Sequence, residues 1–136
     1  MNKKVWLGAL AVFIVLEILD IIVNGVILKT AWNGVQGIRP DMTSKMWMFH
    51  VIDVVTAFFF AFIFSKGFEK KGITEGIRYG FYIGVWMSVG MVLGTDGMIR
   101  LGHSLAIQWF IYSVIEYIIA GIVLAMIFKE KTSTPA

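Results

Sequence analysis

The sequence contains no cysteine among its 136 residues. Disulfide bonds, thiolate metal sites and cysteine nucleophiles are therefore excluded. Charged residues are also sparse, at 15%, whereas hydrophobic residues make up 58% and the mean hydropathy is +0.80. This composition lies far outside that of a soluble domain. It predicts one small membrane domain.

The sequence also lacks the motifs of the common enzyme classes. It has no P-loop, no glycine-rich dinucleotide turn, no HExxH and no Ser-His-Asp spacing. We therefore predict no catalytic residue, although a metal-dependent membrane enzyme stays open. The net charge of +3 does not indicate nucleic-acid binding. Its lysines and arginines cluster at the ends of apolar runs, where membrane topology explains them.

Four apolar runs are long enough to cross a membrane, which takes about 20 residues. They predict an all-α membrane protein, an antiparallel bundle of four transmembrane helices in a single domain. The predicted helices cover about residues 5–28, 46–64, 73–93 and 104–128. The polar tail, residues 129–136, is predicted to be disordered.

Basic residues are distributed unequally between the two sides of the predicted bundle. Because lysine and arginine are enriched on the cytoplasmic side of membrane proteins, the richer side predicts cytoplasmic N- and C-termini. That side carries Lys3, Lys4, Lys66, Lys70, Lys71, Arg78, Lys129 and Lys131, and the other carries Lys29, Arg39, Lys45 and Arg100.

The first, second and fourth predicted helices contain five acidic or imidazole side chains and no lysine or arginine. A charged side chain at the bilayer centre costs roughly 2.5–3.5 kcal/mol, so such residues normally face a protein interior or a cavity. We therefore expect these five to mark the functional site. They are Glu17, Asp20, His50, Asp53 and Glu116.

In three of the predicted helices, helical spacing places the polar residues on a single face of the helix. At 1.5 Å per residue, their depths below the outer helix ends match in layers. The pattern predicts a polar shaft that opens to the outer side and ends near the midplane in a pair formed by Glu17 and Glu116. The three faces are Glu17, Asp20 and Asn24; His50 and Asp53; and Gln108, Tyr112 and Glu116.

Four carboxylates in the predicted polar shaft cannot all stay ionised without a compensating charge. Shared protons, a divalent cation, the side chain of Lys29 or Arg100, or a charged partner could supply it. Carboxylates with one imidazole suit Mn, Fe or Zn. The alternative is that these groups only form interhelical hydrogen bonds that hold the helices together. The predicted metal ligands are Glu17, Asp20, His50, Asp53 and Glu116, and the residues assigned to cofactor binding are Asn24, Gln108 and Tyr112.

A haem held by His50 and His103 is the less favoured cofactor. His103 falls at the start of the fourth predicted helix. A helix-entry residue in contact with water is the commoner interpretation of a histidine at such a position.

The third predicted helix carries Gly76, Gly80, Gly84 and Ser88 at four-residue intervals. Strips of small residues let helices approach closely. The neighbour could be a helix of the same chain, or a second copy in a homodimer or larger complex. An accessory or scaffold subunit that docks through this strip is therefore the alternative to an ion-binding protein.

The second and third helices are joined by FIFSKGFEKKGI (residues 62–73), followed by EGIRYG (75–80), and the fourth helix contains LAIQWFIY (105–112). These segments resemble an uncharacterised group of small bacterial four-span proteins. The resemblance implies a four-helix membrane fold in the bacterial inner membrane. It carries over no active residue, because no function is attached to the group.

Overall fold

The computed structural model describes residues 3–37 and 40–128, and the regular elements in these ranges are all helical. Four helices are long and apolar enough to cross a membrane, which confirms the predicted class and number of helices. We call them the first to fourth spans: Lys3–Ile27, Met46–Lys66, Ile73–Met98 and His103–Phe128. The tail predicted to be disordered, residues 129–136, lies outside the described residues.

Two of the spans are interrupted by π-helical turns. The first span is α-helical over Lys3–Ile22 and π-helical over Val23–Ile27. The third span is α-helical over Ile73–Ser88, π-helical over Val89–Leu93 and α-helical again over Gly94–Met98. Such turns are found frequently at functional sites. The third span consequently extends five residues beyond its predicted end at residue 93.

The connections between spans contain short helices and one anchored turn. The first connection holds an α-helix, Lys29–Asn33, and a 3-10 helix, Met42–Lys45. In the second connection, the buried Glu75 carboxylate accepts hydrogen bonds from the backbone N–H groups of Glu69 (2.7 Å) and Lys71 (3.0 Å). These two bonds fasten the turn to the start of the third span.

The first span is in contact with both the second and the fourth, and the fourth span packs extensively against the third. Tyr79 adds a link between the second and third spans, because its hydroxyl donates a hydrogen bond to the Phe60 carbonyl oxygen (2.7 Å). The second and fourth spans carry the other predicted site residues, and the first span contacts both of them.

Buried apolar side chains form two separate clusters. The large apolar cluster contains Val5, Val12, Leu16, Ala57, Phe60, Ala61, Phe64, Tyr117, Ala120, Leu124, Ala125 and Phe128. The small apolar cluster contains Val23, Leu28, Leu101 and Leu105, with Trp32, Val35, Ile99, Ala106, Trp109 and Tyr112 packed against them. On the first and fourth spans, the acidic residues lie between the two clusters.

The glycine strip of the third span packs against the fourth span of the same chain. A Cβ atom at Gly76 would collide with the backbone of Gly121, and one at Gly80 with the backbone of Tyr117. Gly84 lies against Val114 and Tyr117. At Gly76 and Gly80, only glycine, which has no Cβ atom, permits this contact with the backbone of the fourth span. The face assigned to a homodimer or a larger complex, including the buried Ser88, is thus occupied within the chain.

Candidate functional site

Four carboxyl groups from three spans meet in what we call the acid network: Glu17, Asp20, Asp53 and Glu116. Asp20 is its centre, since its carboxyl group lies within hydrogen-bonding reach of those of Asp53 and Glu116. Asp53 also reaches the carboxyl group of Glu17. Helical spacing explains why Glu17 and Asp20 share one face of the first span. The acids predicted to converge are therefore neighbours.

His50 is the basic group in contact with the network. Its Nδ1 atom lies 2.9 Å from Oε1 and 3.0 Å from Oε2 of Glu17. An ionised carboxylate only accepts hydrogen bonds, so Nδ1 donates when Glu17 is charged. The His50 side chain is 55% exposed and that of Glu17 is 18% exposed. This contact therefore connects the network to the surface of the second span.

Glu116 lies at the opposite, buried end of the network. The residue is only 6% exposed, whereas Asp20 and Asp53 are half-buried. Within the described residues, its Oε1 atom has no hydrogen-bond partner, and neither has the buried Ser113 hydroxyl one turn earlier. An unpaired buried polar group costs about 1–3 kcal/mol, and an ionised one costs more. The surroundings of Glu116 thus favour a neutral carboxyl group or a bound cation.

The pairing of acids differs from the predicted one. Glu116 pairs with Asp20 rather than with Glu17, which contacts His50 and Asp53 instead. Asp20 is seven residues from the end of the first span, and Glu116 is thirteen residues from the start of the fourth. These distances are about 10 and 20 Å along the helix axes. The prediction was wrong because it placed the ends of all spans at one level.

The residues assigned to cofactor binding have other partners in the structure. The Asn24 side-chain oxygen accepts a hydrogen bond from Trp32 Nε1 (3.0 Å). Gln108 is exposed and donates to the Ser104 hydroxyl (2.9 Å). Tyr112 packs against the small apolar cluster. These three side chains are therefore not among the contacts that link the members of the acid network.

The basic residues considered as compensating charges are placed at the surface. Lys29 and Arg100 are exposed, and His103 is exposed at the first residue of the fourth span. His50 is engaged by Glu17 through Nδ1. The less favoured haem between His50 and His103 stays a prediction.

Within residues 3–37 and 40–128, no three histidine, aspartate or glutamate side chains are arranged to hold one metal ion. The predicted Mn, Fe or Zn site therefore stays a prediction. The contacts that the structure does contain are pairwise and follow one another from His50 to Glu116.

Two residues near the network are not identified by sequence reasoning. Ser113 precedes Glu116 by three positions and therefore lies on the same helix face, a signal that helical spacing could have supplied. Tyr117 is buried close to Asp20, Asp53 and Glu116. It directly follows Glu116 in the chain, so no periodic pattern associates it with the acids.

Comparisons with known proteins supply no further information on this site. No protein-family model, no curated protein and no solved structure matches the chain.

Proposed function

We propose that this chain is an integral membrane protein that binds protons within the acid network. The observation that carries the proposal is the contact of Asp20 with both Asp53 and Glu116. Ionised carboxylates have no hydrogen to donate, so a hydrogen bond between two carboxyl groups needs a proton on one of them. Two such bonds at Asp20 need two protons.

Protons suit this arrangement better than a shared metal ion. A divalent cation needs several oxygen or nitrogen ligands directed at one point, whereas the acids contact one another in sequence. Bound protons also remove charge from the network, whereas Lys29 and Arg100, the basic side chains considered as compensating charges, are exposed. A divalent cation held by the same residues is the alternative.

We further propose that the four spans are antiparallel in a bacterial inner membrane, with both termini in the cytoplasm. The unequal distribution of lysine and arginine supports this orientation. Contacts between the first and second spans support the antiparallel packing, because Gly8 lies near Ala61 whereas Glu17 contacts His50. Protons that exchange with one side of the membrane could then be coupled to ion transport or to a response to pH.

Proton release from purified protein tests the proposal. When the solution is taken from neutral to strongly alkaline pH, the wild-type protein should release about two more protons than the Asp20→Asn/Glu116→Gln variant. The reason is that two hydrogen bonds at Asp20 need two protons. Glu69→Gln is the matched control, since Glu69 is exposed and pairs with Lys71 at 3.1 Å. It should release as many protons as the wild type over this range.

Elemental analysis of the same preparations separates protons from metals. Stoichiometric Mn, Fe or Zn in the wild type, lost in Asp53→Asn and Glu17→Gln, would replace the proton proposal by the metal alternative. Equal proton release from the wild type and the Asp20→Asn/Glu116→Gln variant would contradict proton binding.

A further inference from the structure

We propose that a cavity between the second and third spans binds the phosphate group of an anionic phospholipid. The cavity has a volume of about 310 Å³ and lies beside the turn that joins the two spans. The described residues that line it fall between positions 63 and 82, outside the acid network. Lipid binding at this cavity therefore does not depend on proton binding.

The cavity lies where the second and third spans meet through aromatic side chains. The Tyr79 ring is 4.7 Å from that of Phe60 and 5.2 Å from that of Phe64, measured between ring centroids. The close backbone contact of the third span is instead with the fourth, through the glycine strip. The second and third spans therefore leave space between them, and the cavity occupies this space beside the turn.

One wall of the cavity is apolar and continues onto the outer surface of the spans. Ile63 and Tyr82 belong to this wall and are 46% and 62% exposed, and Phe64 and the Tyr79 ring lie behind them. Exposed apolar side chains of a membrane-spanning helix contact the acyl chains of lipids. A phospholipid can therefore enter the cavity from the membrane with one chain along this wall.

Arg78 and Tyr82 supply hydrogen-bond donors at the cavity and are one helical turn apart on the third span. Arg78 Nη2 lies 4.0 Å from Oε1 of Glu69, which is longer than a hydrogen bond. This contact leaves the guanidinium N–H groups able to donate to another acceptor. Side chains on a helix lean toward its N-terminus, so Tyr82 leans toward the turn that carries Arg78. A guanidinium group binds phosphate through two parallel hydrogen bonds.

The two acidic side chains at the cavity already have partners. The Glu75 carboxylate accepts hydrogen bonds from the backbone N–H groups of Glu69 and Lys71. The Glu69 carboxylate lies 3.1 Å from Lys71 Nζ, closer than it lies to Arg78. Residues 65–82 carry four basic and two acidic side chains, a net charge of +2. These surroundings favour a negatively charged ligand.

The depth of Arg78 favours a phosphate carried by a lipid over one free in solution. Arg78 is five residues from the start of the third span at Ile73, about 8 Å along the helix axis. Long basic side chains near helix ends reach the headgroup region, and basic pockets between spans on the cytoplasmic side bind anionic headgroups. The cavity volume is at the lower end for ligand sites, so it holds a headgroup and the start of a chain rather than a whole lipid.

Binding of phosphatidylglycerol to the purified protein, measured by native mass spectrometry from detergent micelles, tests the proposal. The wild type should bind this lipid more tightly than phosphatidylcholine, whose headgroup has no net charge. Arg78→Gln should weaken phosphatidylglycerol binding roughly tenfold, because charge-assisted hydrogen bonds to the phosphate are lost. Arg100→Gln is the matched control, since Arg100 is exposed and its loss changes the net charge equally. It should bind phosphatidylglycerol as the wild type does.

Tyr82→Phe is the second variant, and it decides the test if Arg78→Gln does not fold. It keeps the ring and removes the hydroxyl group, so it should weaken phosphatidylglycerol binding about threefold. Wild-type affinity in the folded variants would overturn the proposal. Inorganic phosphate that displaces phosphatidylglycerol at equal concentration would also overturn it, in favour of a site for free phosphate.

The Asp20→Asn/Glu116→Gln variant separates this proposal from proton binding. Both substitutions lie outside the lining of the cavity, so the variant should bind phosphatidylglycerol as tightly as the wild type while releasing fewer protons. A loss of lipid binding in this variant would contradict a site confined to the second and third spans.

Discussion

The Gly80→Ala variant is expected to lose about 3 kcal/mol of folding free energy, at the upper end of the cost of overpacking a core. A Cβ atom at Gly80 would collide with the Tyr117 carbonyl oxygen and the Ile118 Cα atom. Both are backbone atoms of the fourth span, so no side-chain rotation can relieve the collision. The third and fourth spans would have to separate, which also weakens their contacts at Gly76 and Gly84.

Gly94→Ala is the matched control for this variant. Gly94 belongs to the same span and has helical backbone angles (φ −62°, ψ −43°). Nothing lies within 4 Å of an added Cβ atom. Alanine is the better helix former by about 0.8–1 kcal/mol, so this variant should be as stable as the wild type or slightly more stable. Reversible unfolding in mixed micelles measures both, and equal stability of the two variants would contradict the observed helix contact.

The second large effect is expected from separating Asp20 and Glu116. In a double-mutant cycle, Asp20→Ala and Glu116→Ala should each destabilise the protein, but the double variant should be little worse than either single one. Removing Asp20 leaves the buried Glu116 without its carboxyl partner, and removing both residues does not. We expect a coupling energy of about 1–3 kcal/mol from unfolding in the same micelles.

A control cycle pairs Asp20→Ala with Gln108→Ala. Gln108 is exposed and bonded to Ser104, so the two effects should add to within about 0.5 kcal/mol. Ordinary interhelical hydrogen bonds in membranes contribute about 0.6 kcal/mol. A coupling of that size between Asp20 and Glu116 would favour the alternative in which the acids only hold the helices together.

The sequence predicts the helices of this protein better than their contacts. The number of spans follows from the lengths of the apolar runs, which can be read directly from the order of residues. The third span nevertheless continues to Met98, because the π-helical turn at Val89–Leu93 shifts the helical periodicity without ending the helix. The glycine strip indicates a close helix contact, but the identity of the neighbour depends on tertiary packing that spacing within one helix does not contain.

The same limit applies to the acid network. Periodicity places Glu17 and Asp20 on one helix face, and the free-energy cost of membrane-embedded charge favours their convergence with acids of other spans. Pairing between spans depends on how far each helix is displaced along its axis. That displacement is set by contacts such as those of Gly8 with Leu124 and Ala61, which no single helix specifies. The predicted pair of Glu17 and Glu116 was wrong for this reason.

The central claim is that the carboxyl groups of Asp20, Asp53 and Glu116 share protons, and the infrared spectrum of the wild-type protein at neutral pH tests it most directly. We predict a C=O band of protonated carboxyl groups that is reduced in Glu116→Gln and lost in the variant that also carries Asp20→Asn and Asp53→Asn. A wild-type spectrum that contains only ionised carboxylate bands would contradict the account.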